Sequence, residues 1–194
     1  ERQIEAVTLK LAGWTGSQRQ LRDLAGAWYN ENLRGKSLPN DDMGVQVQFS
    51  SEGRNAAFAT SGNLRAGWRA EMVKALPDLI QRAVKVAQAL PDERKAHKTR
   101  MMHTLVAPLA VNGKTYAAKI TLREALQDPN GVPHKFYDVT ALEIENGPEM
   151  FGVAPGVATG PVHPTGTEPL RVSVAELAKA STGKYPGTTD FDTI

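Results

Sequence analysis

At 194 residues, 41% apolar and 23% charged, the chain has the make-up of one ordinary folded domain with an appendage, not of a wholly disordered protein. No apolar run approaches the roughly 18 residues that cross a bilayer, and no basic-then-apolar leader opens the sequence, so neither a membrane span nor a signal peptide is expected. The lack of cysteine excludes disulfides and thiolate metal sites, and His97, His103, His134 and His163 show no HxxxH or HExxH spacing, so no metal or other cofactor is expected.

The net charge of +2 conceals an asymmetry. Residues 51–123 hold thirteen Lys and Arg against five Asp and Glu, whereas residues 124–194 hold four against ten. A basic middle points to a polyanionic partner, with an acidic tail that masks it or solvates itself.

In chain order, residues 1–12 read as either strand or helix. Ser17 with Gln20 forms a capping box that opens a helix, with Leu21, Leu24, Ala25, Trp28 and Leu33 as its buried stripe and Gly35 as its end. Trp28 reads as core. Residues 38–44 read as a turn, where Asp41 and Asp42 cap or solvate, and Val45-Gln46-Val47-Gln48-Phe49 alternates as a strand. Helical spacing resumes near Asn63 with Leu64, Trp68 and Met72 or Val73. Pro77 suits the first turn of a helix better than its interior, so the spacing predicts a break at Leu76 and a second helix over 77–90, burying Leu79, Ile80, Ala83, Val84 and Ala87. Residues 91–100 form a charged connection.

Asn112-Gly113 then joins two alternating runs, the strongest short-range hairpin signal. The tight turn sets the register: Val111 opposite Lys114, Leu109 opposite Tyr116, Ala107 opposite Ala118, and Leu105 opposite Ile120, all on an apolar face. The other face carries Val106 opposite Lys119, Thr104 opposite Thr121 and Met102 opposite Arg123. The row Lys119, Thr121, Arg123 on an open sheet face suits an anion such as phosphate. After a turn at Pro129-Asn130-Gly131, residues 136–144 read as a further strand.

From Asn146 the composition shifts to Gly, Pro and Thr, the signature of an extended linker. One short helix is expected at Val174–Ala180, capped by Ser173 with Glu176 and too short to stand alone. The expected organisation is an α+β domain over residues 1–146 and an acidic tail over 147–194. N-terminal helices pack on one face of a small, mainly antiparallel sheet, and a basic face lies open opposite them. The start at Glu1 and the linker-like end read as those of a fragment.

Several stretches carry a resemblance: Asn32-Leu33-Arg34-Gly35-Lys36, then Asn40 to Val47, Leu76 to Val84, Val111 to Tyr116, and Phe136 to Ile144. As an ordered series they resemble the phage and mobile-element domains assigned to the barnase/EndoU/colicin/RelE-like nuclease superfamily. Such domains occur in large polyvalent phage proteins and at the ends of Mu-head-like toxins. The resemblance covers residues 20–146.

The resemblance implies metal-independent endoribonuclease chemistry, in which a base takes the ribose 2′-hydroxyl proton and cations hold the phosphorane charge. Lys119, Thr121, His103 and Tyr137 are then the catalytic candidates, with Arg54, Arg123, Arg65 and Thr104 contacting substrate. Tyr137 joins Lys119 only if the odd-numbered residues of its strand face outward. Strict register places His103 opposite Leu122 on the apolar face, and only a β-bulge at Pro108 would turn it to the open one. His97, in the charged connection, is placed to reach a bound strand, and His134, in a turn, reads as exposed. Many members carry a histidine just after the first strand, whereas this chain has Gly53-Arg54-Asn55-Ala56-Ala57-Phe58. The missing histidine supports a second expectation, a catalytically inert module of a large phage protein that holds nucleic acid or a protein. The implied partners are a structured RNA such as tRNA and an immunity or other phage protein, and the implied location is the bacterial cytoplasm.

Overall fold

The computed structural model of the protein describes residues 2–9, 16–51, 53–55, 66–111, 114–127, 133–145 and 171–181. The Asn112-Gly113 and Pro129-Asn130-Gly131 turns, Leu64, Arg65, His163 and residues 147–170 lie outside them, as do the side chains of Trp68 and His134.

The elements in chain order are β1 (Gln3–Glu5), β2 (Val7–Leu9), α1 (Gln18–Asn32), β3 (Ser37–Asn40), β4 (Val45–Gln48), α2 (Ala66–Arg82), β5 (Val84–Ala89), β6 (Thr99–Val111), β7 (Lys114–Gln127), β8 (Pro133–Glu145), β9 (Arg171–Ser173) and α3 (Val174–Ser181). Seven strands make one sheet in the order β2-β6-β7-β8-β4-β3, with β5 also paired to β6, while β1 and β9 form a separate two-stranded ribbon. Only the β2–β6 and β4–β8 pairings in the sheet are parallel. The architecture is α+β, with α1 and α2 on one face of a mainly antiparallel sheet.

The capping box forms as expected: Gln20 N–H donates to Ser17 Oγ and Ser17 N–H to Gln20 Oε1. The buried stripe of α1 differs from the expected one. Leu21, Ala25, Tyr29 and Leu33 face the core, Trp28 packs against it half-buried, and Leu24 is 56% exposed. Spacing by four carries the stripe through Tyr29 and leaves Leu24 on the outer side.

Two boundaries move. Residues 37–40 are a strand paired with β4, so the turn shrinks to 41–44, where Gly44 takes φ +64°. Asp42 accepts from the Lys85 backbone N–H at 2.9 Å and pairs with Arg2 at 2.6 Å, a structural role. The helix does not break at Leu76 but runs through Pro77 to Arg82. An interior proline costs about 3 kcal/mol, whereas each fully buried Leu or Ile contributes roughly 1.5–3 kcal/mol. Leu76, Leu79 and Ile80 around Pro77 are all fully buried, so their packing outweighs the lost hydrogen bond. Val84–Ala89 is then a strand, and Ala87 is exposed on it.

The expected hairpin register is found at every pair, from Val111 opposite Lys114 to Met102 opposite Arg123. Leu105, Ala107, Leu109, Val111, Ala118 and Ile120 join the main core beneath α1 and α2. A second, smaller core lies on the other face. There Ile4, Val172 and Leu177 of β1, β9 and α3 bury Val84, Val106 and Ala117. α3 is capped reciprocally by Ser173 and Glu176, as expected, and Leu177 is its fully buried anchor. One end of the second face is therefore roofed, next to Lys119.

Candidate functional site

The unbroken pairing of β6 with β7 from Met101 to Val111 decides the placement of the candidate residues. Lys119, Thr121 and Arg123 project to one face, with Thr104 opposite Thr121. Pro108 seats no bulge. It falls between the stretch of β6 that pairs with β5 and the stretch that pairs with β2, where a missing N–H is tolerated. His103 therefore stays opposite Leu122 on the core face.

Tyr137 follows His103, and the reason lies in β8. Glu143 and Ala141 stand opposite Lys119 and Thr121, but Val139, not Thr140, stands opposite Leu122. The extra residue, Thr140, reverses the alternation, and its Oγ1 donates to the Thr121 carbonyl at 3.3 Å. Beyond it the even-numbered residues face with Arg123, so Asp138 lies opposite Arg123, while Tyr137 turns to the core face opposite Glu124.

Two groups result. On the second face both cations sit beside carboxylates. Lys119 Nζ is 3.9 Å from Glu143, and Arg123 Nη2 is 3.3 Å from Asp138, which is fully buried. Asp138 also accepts from Ser50 Oγ at 2.5 Å and from the Ser50 N–H at 3.4 Å. Ser50 Oγ in turn accepts from the Gly53 N–H, which ties the helical residues 53–55 to β8.

Arg54 belongs to this end of the molecule. Its guanidinium lies over Gly26 of α1, where a Cβ would come within 2.5 Å of Nη2. Tyr29 Oη donates to the Ser50 carbonyl at 2.9 Å. Burial, reinforced by the Asp138 carboxylate and opposed by the Arg54 guanidinium, pushes the Tyr29 phenol well above its ordinary value.

On the core face, His103 Nε2 is 3.1 Å from Glu124 Oε2, both side chains being buried. The His103 and Tyr137 rings have centroids 5.8 Å apart. Arg100 occupies the irregular position between Thr99 and Met101, and reaches Glu124 Oε1 at 3.4 Å from an exposed position. Glu124 and Asp138 are the residues the sequence reading missed.

A third group is the turn before β6. Arg94, Lys95, His97 and Lys98 are all exposed. Among the described residues there is no cluster of three or more His, Asp or Glu placed to hold a metal, and no helix long and apolar enough to cross a membrane.

The fold and these groups define an α+β module whose sheet carries cations beside carboxylates on one face and a histidine–carboxylate pair on the other. Residues 16–137 match the family described as large polyvalent protein-associated domain 3, and the chain belongs to that family. This supports the polyvalent phage protein part of the resemblance and not the nuclease superfamily part. No curated protein and no solved structure matches the chain.

Proposed function

We propose that the chain is a nucleic-acid-holding module of a large polyvalent phage protein, without a single-site ribonuclease centre. The observation that carries this reading is the split between faces: His103 and Tyr137 lie on the core side, while Lys119, Thr121 and Arg123 lie opposite. One phosphate cannot meet groups separated by a sheet. The two cations are also already engaged by Glu143 and Asp138, which weakens their call on a phosphate. The surplus of basic residues over 51–123 supports a polyanionic partner, met in the bacterial cytoplasm.

The test is incubation of the purified chain with total tRNA in EDTA. The expected result is retention of intact RNA, weakening steeply as salt rises. Fragments ending in 2′,3′-cyclic phosphate, lost on His103→Gln substitution, would overturn it.

One observation favours the ribonuclease reading. A histidine held by a carboxylate, beside a tyrosine, is a suitable general base. His103 would take the 2′-hydroxyl proton as that oxygen attacks phosphorus, and the bond from phosphorus to the 5′-oxygen breaks with that oxygen taking a proton from water. An immunity protein would be the natural partner on this reading alone. The burial of both His103 and Glu124 is why the binding module is preferred.

A further inference from the structure

We infer that the turn between β5 and β6 is the surface that grips the phosphate backbone of a nucleic-acid duplex. The inference rests on the reading of the chain as a nucleic-acid-holding module and names the site and the form of its ligand.

The turn is built to present charge. Asp92 accepts from the Lys95 N–H through its carbonyl at 3.0 Å and through its carboxylate at 3.1 Å. The Lys95 carbonyl accepts from the N–H groups of Lys98 and Thr99, both at 3.0 Å. The Lys98 carbonyl accepts from the Leu126 N–H at 2.9 Å, which anchors the turn to β7. Thr99 is buried beneath it. The backbone is thus ordered by its own bonds, and the side chains of Arg94, Lys95 and Lys98 are left to solvent.

The contrast with the sheet cations is the second observation. Lys119 and Arg123 are partly buried and lie against acids. Among the described residues, Arg94, Lys95 and Lys98 take part in no ion pair and are exposed. Cations already engaged gain little by meeting phosphate, whereas exposed and unengaged ones release the ligand's counterions on contact.

The form of the ligand follows from what the turn lacks. Residues 90–100 contain no Phe, Tyr or Trp, and their one ring is the exposed imidazole of His97. At the same end of the sheet, Phe136 is buried and Tyr137 packs against the core. Unpaired bases are held chiefly by stacking on successive aromatic rings, and a single imidazole makes no such series in this turn. Exposed point charges carried on an ordered backbone suit the regularly spaced phosphates of a duplex, read without regard to sequence.

The experiment titrates the full chain into an RNA duplex, the DNA duplex of the same sequence, and a single-stranded oligouridine, each at a series of salt concentrations. At least one duplex is expected to bind more tightly than oligouridine, and the arm that binds identifies RNA or DNA as the source of the backbone. Each phosphate contact contributes about 0.9 to the slope of log affinity against log salt. The triple variant R94Q/K95Q/K98Q should therefore flatten the slope by roughly 2 to 3 with an unchanged unfolding midpoint. The control R19Q/R22Q, which removes exposed cations from α1, should leave the slope in place.

Native-like binding by the triple variant would overturn the assignment of the surface while leaving the module reading standing. Equal loss in the control would overturn it too, by making the attraction diffuse. Oligouridine bound as tightly as duplex would overturn the form of the ligand. Failure of the native chain to bind any of the three would sink the module reading itself.

Discussion

His103 Nε2 lies 3.1 Å from one oxygen of Glu124, while Arg100 Nη1 approaches the other at 3.4 Å, so a single buried carboxylate joins a core histidine to a solvent-facing arginine. Glu124→Ala removes the partner of a buried histidine and is expected to cost about 2–4 kcal/mol. Glu124→Gln keeps an amide oxygen facing the ring and should cost less. Urea unfolding of the two variants checks the order, and midpoints equal to that of the native chain would show that the carboxylate holds nothing.

Asp138 gives a larger effect. It is fully buried, and it is the acid beside Arg123, whose side chain is only 12% exposed. Asp138→Ala leaves a mostly buried guanidinium without that partner and frees the Ser50 hydroxyl and N–H, so a loss of about 3–5 kcal/mol is expected. Replacing both members, Arg123→Met with Asp138→Leu, should recover part of the loss. A double-mutant cycle measures the recovery, and simple additivity would rule out a specific pair.

These two carboxylates mark where the sequence stops being legible. The β6–β7 hairpin could be read because a two-residue turn admits one register and both strands alternate cleanly. The capping boxes at Ser17 and Ser173 could be read because their partners lie three residues away. Asp138 and Tyr137 could not be placed. The loop before β8 sets no register, and the extra residue Thr140 reverses the alternation in mid-strand. The Ser50–Asp138 bond spans 88 positions, beyond any local period. Pro77 misled for the opposite reason: its local cost is real, but burial of its neighbours exceeds it. The second core was hidden because α3 follows a long linker-like stretch, and only the fold brings it under β5, β6 and β7.

Gly53 and Gly26 should respond unequally to alanine. A Cβ at Gly53 would lie 2.7 Å from Asp138 Oδ1 and 2.8 Å from the Val139 carbonyl oxygen, neither able to move cheaply. Gly53→Ala is expected to cost about 1–3 kcal/mol. At Gly26 the obstacle is the far end of the Arg54 side chain, which can swing away. Gly26→Ala should cost less than about 1 kcal/mol, the steric penalty being offset by better helix propensity. Thermal unfolding of both variants tests the contrast.

Tyr29 predicts an alkaline limit. Its folded value is raised above the unfolded one of 10.0, so the fold prefers the neutral phenol. The associated stability is complete below about pH 10 and declines above it, as the unfolded chain ionises while the folded one does not. Tyr29→Phe should lower stability at neutral pH by about 1–2 kcal/mol, through loss of the bond to the Ser50 carbonyl. It should also flatten the decline above pH 10. Guanidinium midpoints taken across that range decide it, and parallel curves for the two proteins would refute the assignment.

The docking of the tail turns on Leu177. The family match ends at Tyr137, so α3 and its partner ribbon lie outside the matched span, yet Leu177 is fully buried against Val84, Val106 and Ala117. An eight-residue helix has too little propensity to persist alone, so α3 depends on its packing through Leu177 and Val174 and on its capping box. Leu177→Ala is expected to remove about 2–5 kcal/mol of local stability. Amide exchange over residues 171–181 and over β1 should then quicken together, since Val174 N–H bonds to the Arg2 carbonyl and β9 pairs with β1. Exchange in α2 should hardly change, because its core is the separate one beneath the helices. Uniform acceleration through the whole chain would instead mean that the two cores unfold as one unit.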